Sequence, residues 1–124
     1  MQAYRILFAE DDFLSMAIIG EHLSDNGYSV QAVDCGSAAF EAIDRAGEFS
    51  ALLTDIDLGP GPNGFDVARY ARVAYPGLPV VYISGGGPAR HAVEGVGGSE
   101  FIAKPSTPEH VLETLSRVIH REAA

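Results

Sequence analysis

Acidic residues close two separate apolar runs in this chain: Tyr4-Arg-Ile-Leu-Phe-Ala9 ends in Glu10-Asp11-Asp12, and Ser50-Ala-Leu-Leu-Thr54 ends in Asp55. Ser84 closes a third run, Val80-Val-Tyr-Ile83, and Lys104-Pro105 a fourth, Phe101-Ile-Ala103. Carboxylates held a few ångströms apart repel one another unless a cation or a proton intervenes. Mg²⁺ meets that need with oxygen ligands in octahedral geometry and keeps several of its waters; Mn²⁺ could stand in its place. Asp11 and Asp55 are the best direct ligands, Glu10 or Asp12 could act through water, and the main-chain carbonyl of Asp57 lies close enough in sequence to contribute. A carboxylate can also attack phosphorus and form an aspartyl phosphate. Lys104, a metal ion and the hydroxyl of Ser84 would then neutralise or bind the transferred oxygens. Asp55 is the candidate nucleophile of such a site.

The elements that must position these groups alternate five times. Tyr4–Ala9 reads as a buried strand and Phe13–Asn26 as a helix, with Gly27 placed to end it in the left-handed conformation that glycine tolerates. Tyr28–Val33 is a second strand, and Gly36 and Ser37 open a helix through Ala46. Ala51–Thr54 is a short third strand, followed by a loop, Gly59-Pro-Gly-Pro-Asn-Gly64, and a helix from about Phe65 to Ala74. Strand four covers Leu78–Ile83; after Gly85–Gly87 a weak helix covers Pro88–Val96, with Pro88 in its first turn. Strand five covers Ser99–Ala103, and the last helix starts with Ser106 or Thr107 as N-cap. Its Val111, Leu112, Leu115, Val118 and Ile119 follow helical spacing.

Five such units imply a mostly parallel sheet with helices on both faces, joined by right-handed crossovers. In open sheets of this kind ligands bind beyond the carboxyl ends of the strands, where strand order reverses. The chemistry-bearing residues all lie at those ends. Sequence periodicity and site chemistry therefore point to the same place.

Composition narrows the function classes. The 124 residues suit one domain, and 47% hydrophobic with 20% charged residues is globular. No apolar stretch is long enough to span a bilayer, and the N-terminus lacks a signal-peptide pattern. A lone cysteine, Cys35, makes no internal disulfide, so a reducing cytoplasm is the expected compartment. The net charge of -9 opposes direct binding to nucleic acid or to an anionic membrane surface, and favours a protein partner or a small cation.

The ordered set Glu10-Asp11, Asp55, Ser84 and Lys104-Pro105 resembles the response-regulator receiver domain (CheY-like), the phosphoacceptor module of two-component signalling, over nearly the whole chain. Each feature is weak alone, but the set in this order is specific. The resemblance implies a flavodoxin-like (βα)5 fold with strand order 2-1-3-4-5. It also implies Mg²⁺-dependent transfer to Asp55 from a histidine kinase or a histidine phosphotransfer protein, and a downstream protein target. It implies a cis Lys104–Pro105 peptide and a switch in which Ser84 moves toward the phosphoryl group and Phe101 turns inward. That switch reshapes the face of helix four, strand five and helix five, which could also support a weak dimer of an otherwise monomeric chain. The chain departs from the family pattern in its loop after Asp55, which is one residue longer and carries two prolines, in the three glycines after Ser84, and in Phe101, where tyrosine is commoner. Residues 1–124 read as one receiver domain with no output domain, and the early Met and the Ala-Ala end favour a whole protein.

Plainer readings compete at single positions. Asp12 alone is better read as a cap of the first helix. Asp57 divides evenly between loop residue and site contributor. His22, His91, His110 and His120 lack metal-ligand spacing and read as surface histidines, and Cys35 as a small loop residue. Asp55-Ile-Asp57 also resembles the DxD of haloacid-dehalogenase phosphatases, and Glu10 with Asp55-x-Asp57 resembles a Toprim metal site. The first normally places its DxD on the first strand, and the second fits poorly with an acidic chain. A degenerate receiver that only binds partners is disfavoured by the intact acidic set and lysine.

The first helix holds more apolar residues than one core-facing stripe requires: Phe13, Leu14, Met16, Ala17, Ile18 and Ile19. Either its buried face is wide, or Phe13, Leu14, Met16 and Ala17 form a docking surface for a helical phosphodonor, with Met16 and Ala17 exposed.

Overall fold

A computed structural model describes residues 4–45 and 48–123. Five strands, β1 (Arg5–Ala9), β2 (Ser29–Val33), β3 (Ala51–Asp55), β4 (Val80–Ser84) and β5 (Glu100–Ala103), alternate with five helices. The helices are α1 (Phe13–Asp25), α2 (Gly36–Arg45), α3 (Gly64–Ala74), α4 (Ala89–Glu94) and α5 (Pro108–Ala123). Boundaries differ from the sequence reading by one or two residues, the ordinary uncertainty of element ends. The expected end of α2 at Ala46 lies outside the described residues.

All strand pairs are parallel and the order is β2-β1-β3-β4-β5. The interior strands are near-continuous apolar runs because both faces are covered. Alternate residues feed two cores. Leu7, Ala9, Leu52, Val80 and Tyr82 pack with α2 and α3 residues such as Ala39, Ile43, Phe65 and Ala68. Ile6, Phe8, Leu53, Val81, Ile83 and Ile102 pack with Ile19 and Leu23 of α1 and Val111, Leu115 and Val118 of α5.

Register brings the strand ends level: Ala9 pairs with Thr54, Asp55 with Ile83, and Ser84 with Ala103. The long loop after β3 folds tightly back on it. Gly64 N–H donates to Ile56 O at 2.8 Å, and a Cβ on Gly64 would meet Asp55 O at 2.2 Å, so only glycine fits there. Asn63 and Asp66 then start α3 with a reciprocal capping box, each side chain accepting the other's backbone N–H at 3.0 Å. Gly27 has φ 92° after α1, as its position predicts. Thr107 caps α5, its hydroxyl oxygen accepting His110 N–H at 3.1 Å.

Two expectations need correction. Met16 is half-buried against the α1–α5 core, not exposed, because it shares the inward stripe of Ile19 and Leu23 at helical spacing. The exposed apolar residues of α1 are Phe13 (80%), Leu14 (65%), Ile18 (49%) and Ala17. The weak fourth helix covers only Ala89–Glu94, with Pro88 as N-cap instead of in the first turn. It contributes no buried residue to either core.

Candidate functional site

The carboxyl ends of β1 and β3 are adjacent in the sheet, so their acidic residues converge. Carboxylate oxygens of Glu10, Asp11 and Asp55 lie within 4.8 Å of one another, with Glu10 and Asp55 buried and Asp11 exposed. Lys104 reaches them from the end of β5. Its Nζ donates to Asp55 Oδ2 at 2.9 Å and to Glu10 Oε1 at 3.1 Å. Glu10 Oε2 accepts Asp12 N–H at 3.2 Å, which fixes the second oxygen of the buried carboxylate.

One ammonium therefore pairs with two carboxyl groups of a cluster of three. Burial pushes the Glu10 carboxyl up to about 7; Asp55 adds to the rise, while the Asp12 N–H and Lys104 oppose it. Burial works to lower the Lys104 ammonium, but its hydrogen bonds and charge pairing with Asp55 and Glu10 outweigh this and hold it above its ordinary value. An all-oxygen set with surplus negative charge suits a hard divalent cation. Glu10, Asp11 and Asp55 are the residues that would hold it.

The remaining predicted residues surround this cluster. Asp57 N–H donates to Asp55 Oδ1 at 3.3 Å, while its side chain turns outward and pairs with Arg90 at 3.3 Å. Ser84 is buried at the end of β4, and its hydroxyl oxygen accepts Gly86 N–H at 3.1 Å. Its main-chain carbonyl accepts Lys104 N–H at 2.8 Å, tying the two strand ends together. The Lys104–Pro105 peptide is cis. Asp12 sits at the N-cap of α1, its Oδ2 accepting the Ser15 hydroxyl at 2.7 Å. A cleft beside the site is lined by Ser15 and Ile19 of α1 together with Lys104, Pro105 and Ser106.

Phe101 is half-buried and stacks on His91 at 5.7 Å. His91 is thus half-buried and not a free surface side chain: it also meets Tyr82 edge-on at 5.4 Å and lies 2.9 Å from Ser99 Oγ. Ser99 donates its hydroxyl to Val96 O at 2.6 Å, so its oxygen accepts from His91, placing the proton of a neutral ring on Nε2. His22 is also half-buried, its Nε2 enclosed without a hydrogen-bond partner. Sequence reading missed His91 because its partners come from β4, β5 and the turn between α4 and β5. Arg90 was missed for the same reason: nothing near it in the chain announces its partner 33 residues away.

Over residues 6–116 the chain matches the family described as the response regulator receiver domain. It is 29% identical over 117 residues to the response regulator protein FleR of Pseudomonas aeruginosa, covering 93% of this chain and 24% of FleR. Its fold is similar to that of the response regulator receiver protein from Sinorhizobium medicae, with TM-score 0.93, 32% identity and 97% of each chain covered. It is similar, at TM-score 0.82 and 24% identity, to the receiver domain of the sensor histidine kinase PA1611 from Pseudomonas aeruginosa, over 95% of this chain and 98% of that one. That domain was crystallised with a magnesium ion coordinated in its active-site cleft, and at this identity the likeness is one of fold. The chain spans between 24% and 53% of the length of the first curated relatives it matches. None of this supports a haloacid-dehalogenase or Toprim reading, and the outward side chain of Asp57 leaves Asp55-x-Asp57 without a second inward carboxylate. No helix among the described residues is long and apolar enough to cross a membrane.

Proposed function

This chain belongs to the response-regulator receiver family, and on that premise we propose that Asp55 accepts a phosphoryl group from a phosphohistidine of a histidine kinase or histidine phosphotransfer protein. The observation that carries this reading is the placement of Asp55: buried, between two further carboxyl groups, with the Lys104 ammonium 2.9 Å from its Oδ2. A carboxylate oxygen of Asp55 forms the bond to phosphorus as the phosphorus–nitrogen bond of the donor breaks. The electron pair leaves with the imidazole nitrogen. Lys104 neutralises the growing charge on the phosphoryl oxygens from one side.

Glu10, Asp11, Asp55 and the main-chain carbonyl of Asp57 would hold Mg²⁺, which supplies a second positive centre for those oxygens when bound. Ser84 donates its hydroxyl to the transferred group after a short movement. Phe101 follows inward and reshapes the face of α4, β5 and α5 for a downstream protein. Phe13, Leu14, Ala17 and Ile18 offer the donor protein an apolar docking face beside the cleft at Lys104, with Met16 supporting it from below. We read residues 1–124 as one receiver domain.

The test is incubation with acetyl phosphate and Mg²⁺ followed by mass spectrometry. A phosphoryl adduct that disappears in Asp55→Asn and on adding EDTA supports the reading. Absence of an adduct with acetyl phosphate and with a phosphohistidine donor overturns it.

A further inference from the structure

α4 is attached to the body almost entirely by polar and ring contacts. It buries no residue, and Val93 is 85% exposed. Two adjacent side chains reach back toward the sheet. His91 enters the Tyr82–Phe101 cluster, and Arg90 turns to the other side, toward the loop after β3. Arg69 of α3 adds a hydrogen bond to Glu94 O at the far end of the helix.

Arg90 is held on three sides. Its Nη1 lies 3.3 Å from Asp57 Oδ1, its Nε lies 3.7 Å from Glu94 Oε2, and its guanidinium lies 5.4 Å from the ring centre of the buried Phe65. A pair as exposed as Arg90–Asp57 contributes little to overall stability. Its consequence is positional, because Asp57 is joined to the acidic site through its own backbone. The Asp57 N–H donates to Asp55 Oδ1, and the residue's side chain is otherwise in solvent. Without Arg90, nothing described in the structure orients the Asp57 side chain.

We propose that Arg90 is a positioning residue of the acidic site: through Asp57 it orients the segment that hydrogen-bonds Asp55, and so couples α4 to the state of that carboxylate. The inference rests on the phosphoacceptor reading above for its consequence in phosphoryl transfer. Coupling is reciprocal. A change at Asp55 that alters the Asp57 hydrogen bond alters the hold on α4, by a route separate from Ser84 and Phe101. The guanidinium suits the role better than an ammonium would, since its plane can rest on Phe65 while its edge meets the carboxylate.

The test is a double-mutant cycle of Arg90→Gln and Asp57→Asn in the full chain, with Arg90→Lys as the conservative variant. Backbone amide NMR gives the readout independent of transfer: Mg²⁺ added to the wild type shifts the amides of Arg90–Glu94, and in Arg90→Gln that response is lost while the amides around Asp55 still respond. At saturating Mg²⁺, adduct formation from acetyl phosphate falls about threefold in Arg90→Gln, the scale of one exposed ion pair. It is partly restored in Arg90→Lys and falls no further when Asp57→Asn is added. Additive effects of the two substitutions, or an unchanged α4 response in Arg90→Gln, would overturn the proposal. A wild-type chain that binds Mg²⁺ but forms no adduct would sink the phosphoacceptor reading alone, since the NMR cycle still decides the role of Arg90.

Discussion

The Lys104 ammonium lies 2.9 Å from Asp55 Oδ2 although the two residues are 49 positions apart, and the same nitrogen reaches buried Glu10 at 3.1 Å. A single cation thus holds together the ends of β1, β3 and β5. It does so in a cluster that still carries more carboxyl groups than positive charges. This imbalance makes the site sensitive to pH, to divalent cations and to the loss of one side chain.

Lys104→Met leaves Glu10 and Asp55 facing each other without their shared partner. Removing one member of a fully buried pair costs about 3–5 kcal/mol. Lys104 is 29% exposed, so a smaller loss of about 1–3 kcal/mol is expected in EDTA. Mg²⁺ should recover part of it. Urea unfolding with and without Mg²⁺ measures both effects, and a variant as stable as the parent in EDTA would contradict the electrostatic account.

Glu10 sets a pH dependence with a definite sign. Its carboxyl is raised from 4.5 to about 7 in the folded chain, so its favourable contribution is complete below pH 4.5 and is lost as pH rises through about 7. The loss is of the order of 3 kcal/mol. Glu10→Gln should flatten the metal-free stability profile across that window and raise stability at pH 8. Mg²⁺ affinity of the parent should climb over the same range, because the ion competes with the proton. Equal slopes for parent and variant in urea titrations would refute the assignment.

Gly64→Ala tests the fit of the long loop against β3. A Cβ there would meet Asp55 O at 2.2 Å and Ile56 Cα at 2.9 Å, both backbone atoms that cannot step aside. The expected cost is about 1–3 kcal/mol, as for other overpacked sites, with weaker Mg²⁺ binding because Asp55 itself must shift. Calorimetric titration beside thermal unfolding separates the two.

Leu14→Glu probes the docking face of α1 without disturbing the core, since Leu14 is 65% exposed. It should slow phosphoryl transfer from the cognate donor by tenfold or so, the effect of about 1.4 kcal/mol at a small interface. Transfer from acetyl phosphate and the unfolding midpoint should stay as in the parent. Met16→Glu is the poorer probe, because Met16 packs against the core cluster that includes Ile19 and Leu23 and its loss would unsettle the helix. Parallel slowing with both donors would remove the docking face from the account.

The sequence by itself determined the alternation of strands and helices, the parallel sheet and which chemistry-bearing residues stand at the strand ends. Short apolar runs that end in Glu10-Asp11, Asp55, Ser84 and Lys104 encode both the strands and the chemistry at their ends. Such features are local, and local patterns of hydrophobicity and turn residues are written in consecutive residues. Tertiary structure alone decided four further matters. It turned Met16 inward, drew His91 between Tyr82 and Phe101, and set Arg90 against Asp57 and Phe65. It also placed Gly64 so close to Asp55 that no side chain fits between them. Each depends on which distant elements the sheet order makes neighbours. A helix with no buried face of its own, like α4, carries no periodic signal that would reveal them.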